Sequence, residues 1–170
     1  MRYWPLAAYI AVIFAANWAV VTLGPVTVPG TALVAPAGVF FAGLAFTLRD
    51  LTQDSLGRRW TYAAIIVGAS LSGLLSGPLA LASAVAFLFS ETADLAVYTP
   101  FRKRRWLAAV TASNLVGLVL DSLLFLWLAF GSFEYLAGQI VGKLEMTVLA
   151  VALLWGRRAL LSRHPPADLA

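Results

Sequence analysis

The chain has no cysteine and little charge: Lys and Arg number 12 and Asp and Glu 8 among 170 residues. Without thiols there can be no disulfide, no thiolate metal centre and no cysteine nucleophile, and the redox compartment cannot be read. The single histidine, His164, lies beside Pro165 and Pro166 near the C-terminus. No Gly-x-x-x-x-Gly-Lys-Ser/Thr loop occurs, which excludes ATP hydrolysis of the P-loop kind, and His-Glu-x-x-His and Gly-x-Ser-x-Gly are also missing. With no nucleophile and base in a convincing pair, the sequence points to no catalytic residue, no metal ligand set, no cofactor and no enzyme.

What is present is apolar. Hydrophobic residues make up 61% of the chain and the mean hydropathy is +0.86, well above the ~45–50% apolar content of soluble domains. Six apolar blocks stand out: Trp4 to Leu23, Thr31 to Leu48, Trp60 to Leu75, Pro78 to Tyr98, Trp106 to Phe130 and Tyr135 to Trp155. They are Leu- and Ala-rich and lack the ~10-residue alternation of membrane β-strands, so they predict helices. The expected fold is all-α: a polytopic membrane protein with six transmembrane helices over residues 1–158 and a short cytoplasmic tail over 159–170. The first block is longer than the ~7–15 apolar residues of a secretion signal, and predicts a retained helix.

Charge placement orients the spans. Arg2 precedes the first block; Arg49, Arg58 and Arg59 follow the second; Arg102, Lys103, Arg104 and Arg105 follow the fourth; Arg157, Arg158 and Arg163 follow the sixth. The other three connections carry no Lys or Arg, so the positive-inside rule puts both termini in the cytoplasm of a multi-pass protein of the cell membrane. The basic clusters are topology anchors in contact with the lipid bilayer, not a nucleic-acid footprint. Gly73 and Gly77, with Ser72 and Ser76, form a small-residue stripe that predicts close helix packing.

One basic residue, Lys143, is left over inside the sixth block, and Glu91, Asp94, Asp121 and Glu145 also interrupt apolar stretches. An ionised side chain at mid-bilayer costs roughly 2.5–3.5 kcal/mol, against about 0.3–0.6 returned by a Leu, so these groups must face one another or water. Helical spacing brings them onto stripes: Glu91, Asp94 and Tyr98; Asn114, Gly117 and Asp121; Gln139, Lys143 and Thr147; with Asn17 inside the first helix. Glu145 points about 200° away from Lys143 and falls outside this set. Either the polar residues are structural glue, with Asp121 or Glu91 pairing with Lys143, or they line a substrate pocket.

The stretch from Glu91 to Arg102, with Asp94, Val97 and Tyr98 between, resembles the E-x-x-D-x-x-V-Y-x-x-x-R signature of the queuosine precursor transporter family, also called the vitamin uptake transporter family. Asn17, Phe46 to Asp50 with Gly57, Asn114 with Gly117 and Asp121, and Gly142-Lys143 extend the likeness over nearly the whole chain. The resemblance implies import of a 7-deazaguanine, such as 7-cyano-7-deazaguanine, for tRNA modification, and alternating access is the mechanism expected of the buried polar residues. Glu91, Asp94, Asn114, Asp121 and Lys143 are expected to line a cavity from the midplane to the cytoplasm, and Asn17, Tyr98 and, from its helical spacing to Lys143, Gln139 complete the candidate substrate-binding set. Glu91 and Asp94 would read the base edge, and Asp121 would pair with Lys143. Trp18, Phe40, Phe41, Phe46 and Tyr98 are rings available for stacking. Three other readings stay open, the substrate-capturing subunit of a multi-component vitamin importer, a membrane enzyme and a structural membrane protein, as does a homo-oligomer.

Overall fold

The computed structural model describes the backbone of residues 3–101 and 106–163, and the side chains among them except at 94, 95, 98, 99, 101, 106–111, 113, 114, 151 and 154–163. Six helices carry the fold: α1 (Trp4–Leu23), α2 (Val39–Leu56), α3 (Arg58–Ser72), α4 (Gly77–Phe101), α5 (Trp106–Phe130) and α6 (Leu136–Arg163). A hairpin of two short strands, β1 (Pro25–Thr27) and β2 (Val34–Pro36), joins α1 to α2.

The second block differs from its expected limits at both ends. Residues 31–38 are not helical, because Pro36 and Gly38 interrupt the apolar run and the Pro29-Gly30 turn lets Val26 pair with Ala35. At the other end the helix continues through Arg49 and Asp50 to Leu56, where Thr52 and Ser55 each bond the carbonyl four residues back. The expected basic loop therefore shrinks to one residue. Gly57 has φ 88, its N–H caps α2 through Gln53 O at 2.9 Å, and its own carbonyl accepts from Trp60 N at the start of α3. Only glycine takes that conformation without strain. Between α3 and α4, Pro78 sits in the first helical turn as the sequence predicts.

Gly73 and Gly77 do not pack a helix. A Cβ on Gly77 would meet nothing within 4 Å, and one on Gly73 only its own turn. The close approaches lie elsewhere, and they give helix directions. Ile13 meets Gly68 and Asn17 meets Ser72, so α1 and α3 run parallel. Phe46 meets Phe87 and Arg49 meets Glu91, which makes α2 and α4 parallel, and Val39 with Gly142 and Gly43 with Met146 do the same for α2 and α6. The contacts α1–α3, α3–α4, α4–α5, α5–α6, α6–α2 and α2–α1 close a ring of six. The hairpin covers one end of it, with Val28, Ala35 and Val39 packed on Val141.

The ring is apolar outside and holds charged groups inside, within apolar packing. Leu81, Phe89, Val148 and Leu153 are each at least 64% exposed, whereas Arg49, Glu91, Asp121, Gln139 and Lys143 are each at most 5% exposed. A water-soluble fold distributes these residue types the other way round, and an apolar exterior of this kind suits lipid. Among the described residues, α1 is the one helix long and apolar enough to cross a bilayer by itself; Gly77–Ala93 and Leu115–Phe130 are shorter apolar stretches.

Candidate functional site

Five helices line a central cavity, and each does so through residues one turn apart. Ala16 and Val20 come from α1, Gly38 and Ala42 from the start of α2, Ser83 and Phe87 from α4, Asp121 and Phe125 from α5, and Gln139 and Lys143 from α6. The i, i+4 spacing puts both members of each pair on one face of their helix. The cavity leaves about 20 Å³ for the centres of water-sized molecules, room for about one water. A solute larger than that is admitted only when the helices part.

Lys143 Nζ donates to Asp121 Oδ2 at 2.5 Å and to Ser122 Oγ at 2.9 Å. The Ser122 hydroxyl donates to the carbonyl of Leu118 at 2.9 Å, so its oxygen acts as the acceptor toward the ammonium. Lys143 is 1% exposed, so this pair is held away from water, where a charge is tolerated only with its partner. An ammonium has three donors, and the two described acceptors leave the third for a ligand. The amide oxygen of Gln139, one turn away on α6, is buried with no partner among the described residues. An unbonded buried amide in a cavity wall is costly unless something visits it.

Asn17 stands at the edge of the cavity. Its amide nitrogen donates to Ile13 O at 3.1 Å and Ser72 Oγ at 3.2 Å, and its oxygen accepts from Ser83 Oγ at 3.0 Å, tying α1 to α3 and α4. Asn17→Leu is expected to lower stability by about 1–2 kcal/mol, since two hydroxyls lose their cross-helix partner. The unfolding midpoint of the purified protein measures it, and an unchanged midpoint contradicts the linking role.

Of the expected site residues, Asp121, Lys143 and Gln139 line the cavity and Asn17 borders it through Ser83. Glu91 does not line it. It accepts instead from Arg49 Nη1 at 2.9 Å, and Arg49, expected as a loop anchor, is 5% exposed within the ring. Asp121, not Glu91, is thus the partner of Lys143. The side chains of Asp94, Tyr98 and Asn114 lie outside those described. Glu145 is half-buried and away from the cavity, and Asp50 is 54% exposed beside Arg49. Two rings absent from the expected set, Phe87 and Phe125, line the cavity. Each sits one turn from an ionisable residue, Glu91 and Asp121, a spacing visible in the sequence. Trp18 is largely exposed on the outside of α1. No group of three or more His, Cys, Asp or Glu that could hold a metal occurs among the described residues.

Residues 73–155, just under half of the chain, match the family model described as "Putative vitamin uptake transporter". The match supports the vitamin uptake transporter family. It spans α4, α5 and most of α6 and so includes Asp121, Gln139 and Lys143. A family of that description is one of membrane proteins that carry solutes. No curated protein and no solved structure matches the chain.

Proposed function

We propose that this chain is a multi-pass membrane carrier that imports a queuosine precursor, 7-cyano-7-deazaguanine or a related 7-deazaguanine, by alternating access at the central cavity. The observation that carries this reading is the cavity wall: a buried Asp121–Lys143 pair and an unbonded Gln139 amide on one side, with Phe87 and Phe125 beside them. A 7-deazaguanine is flat and neutral, with N–H donors and a carbonyl along one edge. Asp121 accepts from the donors, Lys143 and the Gln139 amide complement the remaining polar atoms, and the two phenyl rings cover the faces. Ala16, Val20, Gly38, Val39 and Ala42 complete the lining with small or aliphatic side chains. The apolar exterior supports six crossings, and the arginines and Lys103 between the even and odd helices support cytoplasmic termini.

Cells unable to synthesise the base, supplied with 7-cyano-7-deazaguanine, test this. Expression of the chain is expected to restore queuosine in their tRNA, and Asp121→Asn to abolish the rescue; rescue by Asp121→Asn at wild-type level contradicts the site. Gln139→Leu gives a finer test. It is expected to weaken binding of the base about tenfold, as loss of one or two neutral hydrogen bonds implies. Stability stays unchanged or rises, because the buried amide oxygen has no partner among the described residues. A binding titration alongside an unfolding curve separates the two effects.

A further inference from the structure

The cavity is closed on the side away from the hairpin by a continuous column of contacts. Phe87 forms the cavity wall and meets Phe46 edge-on, with ring centroids 6.3 Å apart. The Arg49 guanidinium lies over the Phe46 ring, 5.6 Å from its centroid, and bonds Glu91 at 2.9 Å. Phe46 and Arg49 are one turn apart on α2, and Phe87 and Glu91 one turn apart on α4. We propose that these four residues are the cytoplasmic gate of the cavity, and that release of Glu91 by Arg49 is the step that opens it.

Two features make the column a two-state element and not only a packed core. Arg49 already holds a second carboxylate: its Nε and Nη2 donate to Asp50 Oδ1 at 3.0 and 2.8 Å, and Asp50 is 54% exposed. When α2 and α4 separate, the guanidinium keeps a partner at the water-facing edge. Glu91 is provided for as well. The Tyr9 hydroxyl on α1 is fully buried with no hydrogen-bond partner among the described residues, and it lies within electrostatic range of Arg49, Glu91, Asp50 and Asp121. A phenol donates readily to a carboxylate, so Tyr9 can receive the freed Glu91. Neither charge is stranded in the open state, which keeps the two arrangements close in free energy.

This gate regulates the cavity of the proposed function, but its test needs no solute. The cysteine-free chain accepts a single Ala42→Cys in the cavity wall, and a membrane-impermeant maleimide applied to inside-out or right-side-out vesicles reads access from either face. Glu91→Gln is expected to speed labelling from the cytoplasmic face about tenfold or more, since loss of one partner of a buried pair shifts a closed–open balance at least that far. Labelling from the outer face stays unchanged or slows. Glu91→Asp, which keeps a carboxylate for Arg49, restores slower labelling than Glu91→Gln gives. Phe46→Ala, which removes the ring and leaves the charges, also speeds cytoplasmic labelling and serves if Glu91→Gln does not fold. Unchanged labelling in Glu91→Gln or Phe46→Ala overturns the proposal, as does an equal rise from both faces, which marks general loosening of the ring. A failure to bind any deazaguanine leaves this result standing and overturns only the solute.

Discussion

Lys143→Met is expected to abolish uptake, by at least about thirtyfold, as loss of roughly 2 kcal/mol of charge-assisted bonding to a solute implies. It also destabilises the fold by about 3–5 kcal/mol, because Asp121, 3% exposed, is left charged without its ammonium. The double variant Asp121→Asn with Lys143→Met separates the two effects. Neutral residues of similar volume remove the stranded charge, and much of the lost stability returns. Uptake does not return, since nothing remains to accept from or donate to the base with a charge. Unfolding curves and uptake assays on the three proteins check this. Recovery of uptake along with stability would show that the pair only holds α5 to α6.

The second large effect comes from a residue with no side chain. Gly43 on α2 faces α6 so closely that a Cβ would lie 2.7 Å from the Lys143 carbonyl oxygen, 2.8 Å from Met146 Cβ and 3.0 Å from Lys143 Cα. Two of those atoms are backbone and cannot swing aside. Gly43→Val is expected to destabilise the protein by about 1–3 kcal/mol or more, and to displace the backbone that carries Lys143 away from Asp121. Uptake is lost even where folded protein is recovered. Gly77→Ala, where a Cβ meets nothing within 4 Å, is the control and should change stability by no more than about 0.5 kcal/mol. Monodispersity and melting of the purified variants measure both; a harmless Gly43→Val contradicts the close α2–α6 contact.

The contrast between these glycines shows what the sequence could and could not convey. Gly73 and Gly77 have the small-xxx-small spacing of a packing motif, yet they fall in the turn between α3 and α4, because Pro78 begins a new helix there. Gly43 has only Thr47 as a small partner four residues away, a weaker mark than the Gly-Ser stripe; its contact with Lys143 is a hundred residues distant in sequence and exists only in the ring. The even helices were legible as apolar runs but not in extent. Arg49 reads as a loop anchor beside Asp50, and the structure turns it inward because a helix that continues to Leu56 places it opposite Glu91 on the parallel α4.

The polar residues themselves were legible from their cost in lipid. Asp121 and Lys143 stood out as charges that no loop could hold, and the structure brings them together. Which acid Lys143 takes was not legible, since Glu91 and Asp121 fit helical stripes equally well. Phe87 and Phe125 were hidden among 21 aromatic residues, most of them outward or in the core, and only the cavity distinguishes them.

Titration of the purified chain with 7-cyano-7-deazaguanine, followed by calorimetry, tests the central claim most directly. Saturable binding by the wild-type protein, reduced at least about thirtyfold in folded Asp121→Asn, is the predicted result. No binding of the base by folded wild-type protein, or binding that Asp121→Asn leaves intact, would contradict it.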